Sequence, residues 1–263
     1  MLPTERRLKI IDKLQKQEVC TTKELSKELN VSRITMMRDL NTLENEGVLI
    51  KVHGGAKIKK NNTPRYEIRF NVRKNKNTNL KKAIAVMAAP LVKDDSTIFV
   101  DSSTTGYIFA EELLTRSFSR LNVITNSPLL LNATQEKHGI SLIVTGGELD
   151  AFYNMLGGPW VVDFLDRLNI DAAFISAAGI SENAELTTSS MDIGNILNKV
   201  IDRSTQTYVL ADSTKIFKKE MINICSLTRC TSLITNEGIS QEQISLLDKF
   251  IELRLAGTTA VHR

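Results

Sequence analysis

The sequence predicts an α/β chain in two parts: a small helical head ending in a two-stranded wing, and a larger body built on a doubly wound, mostly parallel sheet. Three observations carry that prediction. Two short amphipathic segments between residues 21 and 47 run directly into a glycine-tipped hairpin pattern. Beyond residue 80, short apolar runs alternate with helical patterns, as buried parallel strands and their crossover helices do. The charge also divides where the pattern changes. Residues 1–80 hold 18 Lys and Arg against 9 Asp and Glu, a net of +9, while the remainder hold 16 against 21, a net of −5.

In the head, Thr21 or Thr22 can cap a helix whose Leu25 and Leu29 lie four apart, and Asn30 suits the left-handed residue of a turn. Ser32 then caps a second helix. Its apolar face is Met36, Leu40 and Leu43, leaving Arg33, Thr35, Met37 and Arg38 to face outward, and Gly47 ends it. The alternating segments VLIKV and AKIKK, joined by His53, Gly54 and Gly55, predict the wing. Helix, turn, helix and wing in this order form a winged helix-turn-helix, a device for laying a helix in a DNA groove. Thr22, Ser32, Arg33, Thr35, Met37, Arg38, His53 and Gly54 are the candidate contacts to double-stranded DNA, whose phosphates demand a cationic face. Single cations such as Arg6 and Lys13 read as a solvated helix face.

A chain of 263 residues with 42% hydrophobic content can bury one sizeable core and a small appended one. The expected boundaries are 1–60 for the head, 61–78 for a basic linker and 79–263 for the body. Within the linker Tyr66, Ile68 and Phe70 alternate, so part of it can form a strand or pack on one domain. No apolar run approaches the roughly 20 residues that span a bilayer, and the charged start lacks a signal-peptide core, so a cytoplasmic protein is expected. Cys20, Cys225 and Cys230 are an odd set without zinc-ligand spacing. They are read as reduced and structural, and no metal or cofactor is expected.

In the body, KKAIAVMAAPLV is a helix rich in small residues for packing on a sheet. TIFVD, LNVITN, ISLIVTGG, DAAFISAAG, TQTYVLAD, SLITN and finally FIELRLA are the candidate strands, with helical patterns at GYIFAEELL, 160–168 and 193–201. Parallel sheets bind ligands beyond the carboxyl ends of their strands. The loop Asp101-Ser102-Ser103-Thr104-Thr105 follows one strand and opens a helix, so it offers backbone N–H groups and four hydroxyls. Such a loop suits either a phosphate site or an ordinary helix cap.

On these residues the chain resembles the DeoR family of bacterial transcriptional regulators. In the head the resemblance rests on Val31-Ser32, Thr35, Arg38-Asp39-Leu40 and His53-Gly54-Gly55-Ala56, with Met37 where the family usually has arginine. In the body it rests on Lys81, the Asp101–Thr105 loop, Thr125-Asn126-Ser127, Gly146-Gly147, Gly179, Asp212 and Lys215, with Ser103 where the family usually has glycine. The resemblance implies a body similar to the sugar-phosphate isomerases and an effector that is a phosphorylated sugar. Its site would be Lys81, Asp101, Ser102, Ser103, Thr104, Thr105, Asn126, Gly146, Gly147, Asp212 and Lys215. Lys81 and Lys215 can pair with a phosphate, Asp101 and Asp212 can accept from sugar hydroxyls, and Asn126 can do both. The expected function is a repressor assembled as a homodimer or homotetramer. The competing reading is a sugar-phosphate isomerase or transferase with a DNA-binding head, whose base would come from Glu148, Asp150, Glu182 or Glu185.

Overall fold

The computed structural model describes residues 3–17, 19–45, 48–58, 65–133 and 137–257, and the chain divides after Lys76 into two compact units. Gly47, expected to end a helix, lies outside the described residues, as do Lys59 and Lys60 of the wing and 61–64 of the expected linker.

The first unit runs α1 (Pro3–Lys16), β1 (Cys20–Thr21), α2 (Thr22–Glu28), α3 (Arg33–Asn45), β2 (Leu49–Val52), β3 (Gly55–Ile58) and α4 (Arg65–Asn75). Of the two candidate caps, Thr21 is the one used. Its hydroxyl accepts from Glu24 N while the Glu24 carboxylate accepts from Thr21 N, a complete capping box. Asn30 takes the left-handed turn position at φ 49°, and Ser32 Oγ accepts from Thr35 N at 3.1 Å to start α3. Met36, Leu40 and Leu43 then meet Ile10, Ile11, Leu14 and Leu25 in one core. The wing pairs Val52 with Gly55 across a two-residue turn. It adds β1 as a third, antiparallel strand against β3. A Cβ on Gly55 would lie 2.2 Å from the Cys20 carbonyl oxygen, so only glycine lets β1 approach there.

Two expectations change in this unit. The segment 65–75 is neither linker nor strand but helix α4, and of the two alternatives offered for its apolar residues it is packing on one domain that holds, against α1. Phe70 and Val72 are buried, and a solvated tether would leave both in water. Arg6 and Lys13 are not merely solvated. Arg6 is 8% exposed and donates through Nε to the buried Asp39 of α3, with Arg7 Nε on the same carboxylate at 3.2 Å, while Lys13 pairs with Glu28. Their partners lie on later helices, beyond the reach of local charge pattern.

The second unit begins α5 (Thr78–Ala88), β4 (Ser96–Val100), α6 (Thr104–Leu113), β5 (Leu121–Thr125), α7 (Leu130–Ala133) and β6 (Ile140–Val144). It continues β7 (Glu148–Asp150), β8 (Met155–Gly157), α8 (Pro159–Leu165), β9 (Ile170–Ile175), β10 (Gly179–Ile180) and β11 (Glu185–Thr188). It ends α9 (Met191–Arg203), β12 (Ser204–Leu210), β13 (Ile222–Ser226), β14 (Ser232–Asn236), α10 (Gln241–Leu247) and β15 (Glu252–Ala256). The seven expected strands form one parallel sheet, ordered β15-β14-β12-β9-β4-β5-β6. From β4 the chain moves outward through β5 to β6, then returns to β9 on the other side of β4. The pair β4/β9 is therefore the topological switch point. Strand alternation feeds two cores. Phe99, Ala173, Ile175 and Val209 face one with α8 and α9. Ile98, Val100, Phe174, Tyr208 and Leu210 face the other with α5 and α6. There Phe174 stacks between Phe109 at 4.3 Å and Tyr208 at 5.1 Å. Unforeseen were the β7–β8 hairpin and a small antiparallel sheet, β10-β11-β13, both made of strands of five residues or fewer. All three cysteines are free thiols, and no helix among the described residues is long and apolar enough to cross a membrane.

Candidate DNA interface and effector site

The DNA-facing candidates divide by exposure. Ser32, Arg33, Met37 and Arg38 lie exposed along α3, and His53 and the positive-φ Gly54 are exposed at the wing tip. Thr35 is half-buried, its hydroxyl 2.9 Å from Ser32 Oγ. Thr22 belongs elsewhere. It is 5% exposed, its N–H donates to Gly54 O at 2.9 Å and its hydroxyl reaches Met37 Sδ at 4.0 Å, so it joins α2 to the wing and α3 instead of facing outward. Two exposed residues on α3 escaped sequence reading. Asn41 accepts from the wing's Lys51 Nζ at 2.7 Å, and Ile34 is an isoleucine 68% exposed.

The effector candidates lie beyond the carboxyl ends of the parallel strands. Asp101 follows β4 and is buried. Its Oδ2 accepts from Ser176 N at 2.8 Å, just beyond β9, while Oδ1 accepts from Ser103 Oγ at 2.6 Å and Ser103 N at 3.2 Å. One carboxylate thus ties the two halves of the sheet together at the switch point. Burial pushes its pKa up to about 6, outweighing the hydrogen bonds that favour the charged form. With both oxygens engaged Asp101 positions the loop, and of its acceptor sites one on Oδ2 is left for the sugar hydroxyl expected on it.

Ser103 is the cap of α6, with Oγ accepting from Gly106 N at 2.9 Å. Its φ of −71° and ψ of 160° are extended, so glycine's conformational freedom is not required at this position. Ser103→Ala and Ser103→Gly both lose the hydroxyl's bond to Asp101, so both should destabilise this unit, with glycine the milder by roughly 0.5–1 kcal/mol because it is the better cap, a difference that denaturant midpoints will resolve. The glycine that matters is Gly106, where a Cβ would lie 2.4 Å from Asp101 Oδ1 and 2.8 Å from Asp101 O. Its signal in the sequence was a glycine in the first turn of a helix, directly after the hydroxyl cluster. With Ser103 committed, Ser102 and Thr104 remain half-buried at the helix start and Thr105 is buried. The first-turn N–H groups of Thr104 and Thr105 have no helical acceptor and suit an anion.

The other candidates assemble along the same edge. Asp212, beyond β12, caps the short turn Ser213–Lys215 through Thr214 N at 3.0 Å, and it accepts from Asn77 Nδ2 at 3.4 Å. Asn77 immediately precedes α5 and its carbonyl accepts from Lys81 N. Buried Lys81 and half-buried Lys215 therefore sit on elements flanking the end of β12. Asn126, beyond β5, donates to Leu156 O at 3.2 Å, while its Oδ1 is buried without a partner. Gly146 and Gly147 have φ of 70° and 104°. A Cβ on Gly147 would lie 2.6 Å from Gly157 O, so that position serves close packing on β8.

The carboxylates proposed for an isomerase do not converge. Asp150 Oδ1 accepts from Phe152 N and Tyr153 N in the β7–β8 turn, Glu185 accepts from Asn223 Nδ2 in the small sheet, and Glu148 and Glu182 are exposed. Among the described residues no group of three or more His, Cys, Asp or Glu could hold a metal ion.

Comparison with known proteins agrees with this division into a head and a body. Residues 6–62 match the DeoR-like helix-turn-helix domain, and residues 76–237 match the DeoR C terminal sensor domain. The chain is 34% identical over 241 residues to the HTH-type transcriptional regulator GolR of Listeria innocua, covering 92% of this chain and 93% of that one. It is 31% identical to the lactose phosphotransferase system repressor of Lactococcus lactis, with 94% and 96% covered. It is 30% identical to the L-fucose operon activator of Haemophilus influenzae, with 88% and 90% covered. A DNA-reading head joined to a sensor body over almost the whole length of such relatives makes this chain a member of the DeoR family of transcriptional regulators.

Proposed function

We propose that this regulator is a cytoplasmic repressor of a sugar-metabolism operon, holding double-stranded operator DNA with α3 and the wing and answering to a phosphorylated sugar bound at the carboxyl edge of the sheet. The observation that carries the reading is the meeting of the Asp101–Thr105 loop and the start of α6 at the β4/β9 switch point, where a doubly wound sheet opens a crevice. First-turn amides of α6 would take the phosphate, with Lys81 and Lys215 as cationic partners and Asn126 Oδ1 as an unused acceptor for a hydroxyl. Relatives named for lactose and L-fucose systems support a sugar, and one is a repressor while the other is an activator. Paired half-sites about 34 Å apart favour a homodimer or homotetramer, which sedimentation of the full chain will report. No catalytic step is proposed: Asp150 and Glu185, two of the carboxylates considered as a base, are engaged in the β7–β8 turn and the small sheet, and Glu148 and Glu182 are exposed.

A thermal-shift panel of sugar phosphates and the matching free sugars tests the reading. A phosphorylated sugar at 100 times its dissociation constant should stabilise the body by about 2.7 kcal/mol. Lys215→Ala should abolish that shift and the effector's action on DNA, while operator affinity without effector stays as in the wild type. If every sugar phosphate leaves the wild-type transition unmoved, the sensor assignment fails.

A further inference from the structure

The outward face of α3 carries more than cations. Ile34 in its first turn is 68% exposed and Met37 is 38% exposed. Their i, i+3 spacing sets the two side chains side by side. The core side of this helix is already filled by Met36, Leu40 and Leu43, each fully buried. Ile34 is β-branched, which leaves it essentially one rotamer on a helix, and Met37 Sδ is held by the Thr22 hydroxyl at 4.0 Å. The result is a preset apolar pair, flanked by the exposed Arg33 and Arg38.

In a major groove every base pair offers hydrogen-bonding atoms, but the apolar group among the base edges is the C5 methyl of thymine. An arginine at position 37 would present a donor fork to guanine O6 and N7, whereas a thioether donates nothing. We propose that Ile34 and Met37 read thymine methyl groups in the operator, so that this chain selects thymine where an arginine would select guanine. The inference rests on α3 being the helix that enters the groove. Removing one methyl-sized group from water is worth ~0.8 kcal/mol, or about fourfold in affinity.

The test uses the full chain and a duplex selected from a random pool by binding to it. Each thymine of that duplex is replaced singly by deoxyuridine, which removes the methyl and keeps O4. At one or two positions the replacement should weaken wild-type binding about fourfold. Ile34→Ala and Met37→Ala should each lose that sensitivity at one position with an unchanged melting temperature, and selection with Met37→Arg should bring guanine to the site. Uracil tolerated at every position overturns the proposal, as does methyl sensitivity that persists in the double variant. Arg38→Ala separates the two ways of failing. Weakened binding by that variant beside methyl indifference rejects only the thymine reading, whereas unchanged binding removes α3 from the groove and both readings with it.

Discussion

Asp39→Ala should unfold the DNA-binding unit at temperatures where the sensor unit remains intact. Asp39 is 2% exposed and accepts from both Arg6 and Arg7 of α1. Deleting it leaves a guanidinium that is 9% exposed in its side chain without its carboxylate, in a place where water cannot fully replace the lost partner. Breaking a buried pair in this way costs about 3–5 kcal/mol, against a total of roughly 5–15 kcal/mol for an ordinary domain. The variant should therefore show an early transition in calorimetry, absent from the wild type, and lose operator binding in proportion to the unfolded fraction. Asp39→Asn keeps the shape and one acceptor oxygen and should fall between the two. A wild-type melting profile in Asp39→Ala would show that the pair contributes little and that the apolar core around Ile10, Ile11 and Leu14 is enough to hold α1.

The second large effect is a pH dependence centred on Asp101. Its folded-state pKa of about 6 lies above its ordinary 3.8, so between those values the folded chain binds more protons than the unfolded chain. Stability from this group is then fully present below pH 3.8 and is lost as pH rises through 6. The gap corresponds to about 3 kcal/mol at 1.36 kcal/mol per unit. Asp94, held down to about 2 by the Arg120 backbone N–H first and then by the Ser119 side chain and N–H, has the opposite sign and acts at lower pH. Subtracting the curve of Asp101→Asn from that of the wild type isolates the buried group. The difference should tilt against the wild type between pH 4 and 6 and stay level above that. A flat difference across this interval would mean that the hydrogen bonds from Ser176 and Ser103 fully offset burial.

Much of the architecture was legible because it rests on local repetition. Met36, Leu40 and Leu43 repeat at helical spacing, and runs such as TIFV and DAAFI are apolar on both faces because the sheet they enter is covered on both sides. Residues at strand ends were legible by the same logic, since the topology of a parallel sheet brings Asp101, Asn126 and Asp212 to one edge wherever they sit in sequence. What escaped depends on distant partners or on conformation. Arg6 meets a carboxylate 33 residues away. Helix α4 has few aliphatic residues of its own and gains its burial from α1. The residue type at 103 suggested a departure from glycine geometry, yet the backbone there is extended and serine is at home as a cap. Ile34 shows no sequence sign that it faces water.

Thr21 has two duties at once: it pairs with Gly55 of the wing and it caps α2. Because one residue fixes both, the wing and the helix pair behave as a single ruler laid along the duplex. If α3 and His53 both contact the duplex as proposed, a base-pair insertion between their two positions shifts the second by about 3.4 Å and turns it around the axis. A hinged head could follow that displacement by bending. This one cannot bend there without giving up the β1–β3 ladder and the start of α2 together, so on the proposed interface the spacing between the two contacts is set by the protein.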